Sequence, residues 1–134
     1  MSPARKPRKP QAARILVVDD EELFAEVFVE MLSEFGHAVC VAQSGEEAIE
    51  QFRKGRFDLV FTDLGMPIMS GWQVAQEIKN IKPRTPVVLL TGWGVSVGED
   101  EVSRSKVDMV LSKPVNMEEL SSVVERALSG KRKD

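Results

Sequence analysis

Asp19, Asp20, Asp63, Thr91 and Lys113 are the residues whose types and spacing could do chemistry. Each follows or closes a short apolar run: Ile15-Leu16-Val17-Val18, Leu59-Val60-Phe61-Thr62, Val87-Val88-Leu89-Leu90, and residues 107–111. Such runs, rich in Val, Ile and Leu without alternation, read as strands buried on both faces of a parallel sheet. Open parallel sheets bind ligands at the carboxyl ends of their strands. Three carboxylates, a hydroxyl and an ammonium should therefore converge on one edge. Two carboxylates about 5 Å apart repel by roughly 3 kcal/mol at an effective dielectric of 20. A cation must compensate, and an oxygen-rich cluster without His or Cys favours Mg²⁺ (or Mn²⁺) over zinc. An acidic cap on the following helix explains Asp19 or Asp20, but neither Asp63 nor Lys113.

Asp63 is the candidate nucleophile. A carboxylate can attack phosphorus to form an acyl phosphate. The transferring group carries three anionic oxygens. The metal ion can take one, the Lys113 ammonium another, and the Thr91 hydroxyl with nearby backbone N–H groups the third.

The elements that must position these groups alternate strand and helix five times. Phe24, Phe28, Leu32 and Phe35 line one face of a helix over about residues 21–35, and Gly36 suits its C′ position. The second strand is 38–42. Ser44 with Glu47 forms a capping pair for a helix ending near Gly55. The third strand is 57–63. Ser70 with Gln73 opens a third helix lined by Val74, Ile78 and Ile81, stopped before Pro83. The fourth strand, 86–91, leads into a segment between Gly92 and Lys106 with a poor helical period. After the fifth strand, 107–111, Asn116 with Glu119 caps a last helix with inner face Leu120, Val123, Val124, Ala127 and Leu128, ended by Gly130. Right-handed crossovers then place helices on both faces of a doubly wound α/β fold. Its five-stranded parallel sheet has the order 2-1-3-4-5, a flavodoxin-like (βα)5 arrangement.

A chain of 134 residues, 43% hydrophobic, makes one domain with one core. The total charge is −3; residues 1–14 contribute +5 and the last four +2, so the body carries −10. An acidic body does not suit nucleic-acid binding. Residues 1–13, with Pro3, Pro7 and Pro10, are expected to be a disordered basic tail, residues 14–130 the domain, and 131–134 a second basic tail. The single Cys40 excludes an internal disulfide and reads as a buried thiol. No apolar stretch reaches the length of a membrane span, and no signal-peptide core is seen, so a cytoplasmic protein is expected. His37, the only histidine, reads as a surface residue away from the site.

Four motifs carry a resemblance to a known family: Val17-Val18-Asp19-Asp20-Glu21, Asp63-Leu64-Gly65-Met66-Pro67, Leu89-Leu90-Thr91-Gly92 and Ser112-Lys113-Pro114, with 22 residues from Thr91 to Lys113. The chain resembles a response-regulator receiver domain of two-component signalling over about residues 14–130. The resemblance implies Asp63 as phosphoacceptor. It implies Asp20, Asp63 and the Gly65 carbonyl as direct Mg²⁺ ligands, and Asp19 as a ligand mainly through water. Thr91 and Lys113 would contact the phosphoryl group, and the Lys113–Pro114 bond is often cis in that family. The partner implied is a histidine kinase or a histidine phosphotransfer protein, with an unidentified downstream protein and a phosphorylation-dependent homodimer as a further option. Such a domain receives and slowly hydrolyses its own phosphoryl group; it is not a turnover enzyme.

This sequence departs from the family at three places. Val110 stands three residues before Lys113, where the family carries Tyr or Phe, so no aromatic rotamer switch is expected there. Trp93, two residues after Thr91, is a candidate shield for the acyl phosphate and equally a packing residue. Lys106 replaces the glycine that usually ends the fourth helix, so that helix is expected to be short or mobile. The rival readings are a non-phosphorylated pseudo-receiver serving as an interaction module, and an aspartate-based phosphohydrolase. The second usually needs an acid two residues after the nucleophile, where this chain has Gly65. Only Lys131 to Asp134 follow the last helix, so the protein is expected to act by binding partners, or the chain to be part of a larger protein.

Overall fold

The computed structural model describes residues 12–92, 97–98, 101–102 and 106–132. Its elements run β1 (Arg14–Val18), α1 (Glu22–Glu34), β2 (Ala38–Ala42), α2 (Gly45–Lys54), β3 (Leu59–Asp63), α3 (Gly71–Ile81), β4 (Val87–Thr91), β5 (Met109–Ser112) and α4 (Met117–Arg132). The five strands form one parallel sheet in the order β2-β1-β3-β4-β5, as expected from the alternation.

The pleat sends successive side chains to opposite faces, and the core divides accordingly. Ile15, Val17, Leu59, Phe61, Val88 and Leu90 face Phe28 and Leu32 of α1 and Leu120, Val123 and Val124 of α4. Leu16, Val18, Val60, Val87 and Leu89 face Ala48 and Phe52 of α2 and Val74 and Ile78 of α3. The interior strands β3 and β4 are buried along their whole length. Each fully buried Phe or Leu contributes about 1.5–3 kcal/mol over an exposed one, so burial on both faces fixes strand register and, with it, where each strand ends.

The helix starts follow local hydrogen bonding. Ser70 and Gln73 make the expected reciprocal capping box. Asn116 and Glu119 pair in the same reciprocal way ahead of α4. At α2 the Ser44 hydroxyl accepts the Glu47 N–H, but the Glu47 carboxylate takes the Gln43 N–H, one residue earlier than the box expects. Gly36 has φ +90, the left-handed turn that releases the chain from α1 toward β2.

Several boundaries and burials differ from expectation. β3 starts at Leu59 rather than residue 57, because Phe57 turns aside to stack on Phe52. β5 runs Met109–Ser112, shifted toward the site. α4 passes through Gly130 to Arg132; nothing lies within 4 Å of a Cβ built at Gly130, so no contact there stops it. Cys40, on the edge strand β2, is half-buried rather than buried, because only one neighbouring strand covers it. His37 is a buried residue, 7% exposed, not a surface one. It sits between α1 and β2, where its Nδ1 accepts the Ala13 N–H at 3.0 Å and its ring meets Phe35.

The fourth helical segment lies largely outside the described residues; Glu101 and Val102 are helical and Lys106 is exposed. Among the described residues no helix is long and apolar enough to cross a membrane.

Candidate functional site

The site stands at the carboxyl edge of the sheet, and the adjacent interior strands β1 and β3 place its core. Val18 pairs with Thr62, so the next residues, Asp19 and Asp63, emerge side by side. One carboxylate oxygen from each of Asp19, Asp20 and Asp63 lies within 4.8 Å of the others. Asp19 is fully buried and Asp63 nearly so, at 8% exposure, while Asp20 is exposed. Three facing carboxylates repel, and oxygen-only donors with one side open to water fit a hard divalent cation.

Asp63 owes its position to a close backbone approach. Gly71, the first residue of α3, lies so near that a Cβ there would fall on the Asp63 carbonyl oxygen. The Gly71 N–H donates to the Leu64 carbonyl at 2.9 Å, closing the loop that leads away from the nucleophile. Gly65, in that loop, is exposed, and a Cβ there would meet nothing within 4 Å. Any demand on that position comes from its carbonyl, not from steric need.

Thr91 ends β4. Asp63 is in register with Leu90, which puts Thr91 one residue beyond it on the neighbouring strand. Its side chain is buried, and its hydroxyl donates to the Ser112 Oγ at 3.4 Å. The Lys113 N–H donates to the Thr91 carbonyl at 2.8 Å, tying the end of β5 to the end of β4. The Lys113–Pro114 bond is cis.

Lys113 reaches back across the edge to the aspartates. Its ammonium lies 3.0 Å from Asp19 Oδ2, 3.1 Å from Asp63 Oδ1 and 2.9 Å from Glu21 Oε1. It also stands 4.1 Å from the centroid of the Phe24 ring. Burial opposes its charge, but the hydrogen bonds to Glu21, Asp19 and Asp63 outweigh that and hold its pKa above the ordinary lysine value. Asp19 moves upward as well. Burial is the main cause and the Asp63 charge adds to it, while the Glu21 N–H and Lys113 pull the other way.

The fold thus brings together Asp19, Asp20, Asp63 and Lys113, with Thr91 on the adjoining strand end. Val110 is half-buried on β5 and packs against the α2–α3 side of the core. Trp93 lies outside the described residues. Sequence reasoning missed Glu21 and Phe24 as partners of Lys113, and Ser112 as partner of Thr91. Glu21 was read as a helix start and Phe24 as core; a run of acids facing a single ammonium was the available signal.

Known proteins share this fold. The family profile described as "Response regulator receiver domain" matches residues 15–125. A response regulator receiver protein of Anaeromyxobacter sp. (strain Fw109-5) is 36% identical over 102 residues, which cover 76% of this chain and 43% of that protein. The autoinducer 1 sensor kinase/phosphatase LuxN of Vibrio campbellii is 34% identical over 116 residues, 85% of this chain and 13% of its own length. The chain therefore spans less than half the length of either relative. Among solved structures, a response regulator receiver domain protein of Clostridium thermocellum superposes with a TM-score of 0.83 at 33% identity, over 90% of this chain and 97% of that one. The response regulator TrrA of Thermotoga maritima, crystallised with Mg²⁺-BeF, has a TM-score of 0.78 at 39% identity, over 87% of this chain and 99% of that one.

Proposed function

The chain belongs to the response regulator receiver domain family of two-component systems, and from that premise we propose that Asp63 accepts a phosphoryl group from a phosphohistidine on a partner protein. The observation that carries this reading is the Lys113 ammonium, 3.1 Å from a nearly buried Asp63 carboxylate at a strand end. In the transfer, an Asp63 carboxylate oxygen attacks phosphorus. The new O–P bond forms as the P–N bond to the donor imidazole breaks, and the imidazole leaves. Lys113 neutralises one phosphoryl oxygen, and the buried Thr91 hydroxyl turns from Ser112 to donate to another. Gly71 holds the Asp63 backbone so that the carboxylate meets the donor at the open edge.

Asp19, Asp20, Asp63 and the Gly65 carbonyl would hold a magnesium ion, which supplies positive charge to the anionic oxygens of the transferring group. The Mg²⁺-BeF complex of TrrA supports that choice of ion. The sensor proteins LuxN and ArcB, each of which this chain matches over part of its length, support a histidine kinase or phosphotransfer protein as donor. Phosphorylation would alter a protein-binding surface. With Val110 in the aromatic's usual place, its methyls rather than a swinging ring would line the path from Thr91.

Intact mass after incubation with a small phosphodonor tests the reading. A gain of one phosphoryl group that needs Mg²⁺ and vanishes in Asp63→Asn is expected. No gain, in folded protein that also fails to bind Mg²⁺, would favour a pseudo-receiver that serves only as an interaction module.

A further inference from the structure

An ammonium has three N–H donors and no more. On Lys113 two donate hydrogen bonds, to Asp19 at 3.0 Å and Glu21 at 2.9 Å, and the Asp63 carboxylate closes on the same ammonium as an ion pair at 3.1 Å. The ammonium also stands 4.1 Å from the centroid of the Phe24 ring. An incoming phosphoryl oxygen can reach Lys113 only if one carboxylate lets go.

The three partners are not equally free. Asp19 is fully buried and engaged through both oxygens, since its Oδ1 accepts the Glu21 N–H at 2.9 Å while its Oδ2 meets Lys113. Asp63 is the reacting group and stays a carboxylate until the new bond forms. The Glu21 side chain is 67% exposed, and Lys113 is its one hydrogen-bond partner among the described residues. Water can replace that contact at little cost. Because the Glu21 backbone is tied to Asp19, the carboxylate can swing away without disturbing the start of α1. Glu21 makes no side-chain cap for that helix, so its release removes none.

We propose that Glu21 is a positioning residue that parks Lys113. Its carboxylate occupies one N–H of the ammonium until a phosphoryl oxygen displaces it, and so restrains the rate at which Asp63 is phosphorylated. The inference rests on the reading of Asp63 as phosphoacceptor. Phe24 serves the same arrangement from below. Its ring keeps the ammonium at the site while the anionic partner above it is exchanged.

The test compares wild type, Glu21→Ala and Glu22→Ala for phosphoryl uptake from acetyl phosphate at fixed Mg²⁺. Glu22, the next residue, is exposed and is not among the groups that meet Lys113, so its substitution makes the same change in net charge without the contact. Three- to tenfold faster uptake in Glu21→Ala, with Glu22→Ala within twofold of wild type, is expected. A second readout needs no turnover. In wild-type protein the Glu21 side-chain carboxyl ¹³C resonance should move toward that of a solvated glutamate when beryllofluoride and Mg²⁺ are added. Equal uptake in Glu21→Ala and wild type would overturn the proposal. So would equal acceleration in both variants, or a Glu21 resonance that does not move. Failure of the parent reading looks different: none of the three proteins would gain a phosphoryl group, and the parking role would fall with it.

Discussion

At the amino end of the sheet, the Asp108 carboxylate accepts the Val87 N–H at 2.7 Å and pairs with Lys79 at 2.7 Å. Nearby, Asp58 accepts the Arg14 N–H at 2.9 Å, and His37 accepts the Ala13 N–H at 3.0 Å. Each acceptor there closes a strand start that would otherwise leave a donor unpaired. At the carboxyl end, Asp19, Asp20 and Asp63 face one another within 4.8 Å and share one ammonium. The same residue type holds the fold together at one end and is held against repulsion at the other. Charge left uncompensated by the protein marks the end where a cation and an anionic group can bind.

Opposite signs on substitution would sharpen this contrast. Asp108→Ala strands both the Val87 N–H and Lys79, whose side chain is only 12% exposed. It should cost about 2–3 kcal/mol, measured by urea unfolding. Asp63→Asn should act the other way in metal-free protein. Two unit charges 4.8 Å apart repel by roughly 3 kcal/mol at a dielectric of 20. Asp63 faces two such charges, Asp19 and Asp20, and the Lys113 ammonium at 3.1 Å returns about 5 kcal/mol on the same scale, which leaves a net gain of about 1 kcal/mol. That gain should shrink or reverse in saturating Mg²⁺, which would stabilise wild type by about 2.7 kcal/mol at a hundredfold excess over Kd. A destabilised Asp63→Asn without metal would break the comparison.

The smallest effect concerns His37. Burial lowers its pKa below the ordinary 6.5. The folded state therefore binds fewer protons than the unfolded one. The stability this gives is present above pH 6.5 and lost as pH falls through the folded value. Stability should decline on acidification below neutrality, with a shallower slope in His37→Asn, which keeps an acceptor for Ala13 but does not titrate. Equal slopes would remove His37 from the amino-end set.

The fold and most of the site were legible in the residue order. Unbroken apolar runs of four or five residues mean burial on both faces, and the helical periods between them mean crossovers; together these dictate a parallel sheet and put Asp19, Asp63, Thr91 and Lys113 at strand ends. Glycine and cap positions were equally local, as Gly36 and the Ser70–Gln73 box illustrate. Burial at the edges was not local. Cys40 is half-buried because β2 has a neighbour on one side only, and His37 is buried because β1 begins beside it. The contacts of Lys113 with Glu21 and Phe24 were not local either. Glu21 and Lys113 are 92 positions apart, and the acidic run 19–21 does not by itself say which of its members meets the ammonium. Only the packing of α1 against the sheet edge, with Phe24 and Phe28 stacked beneath the ammonium, decides which carboxylates it can reach.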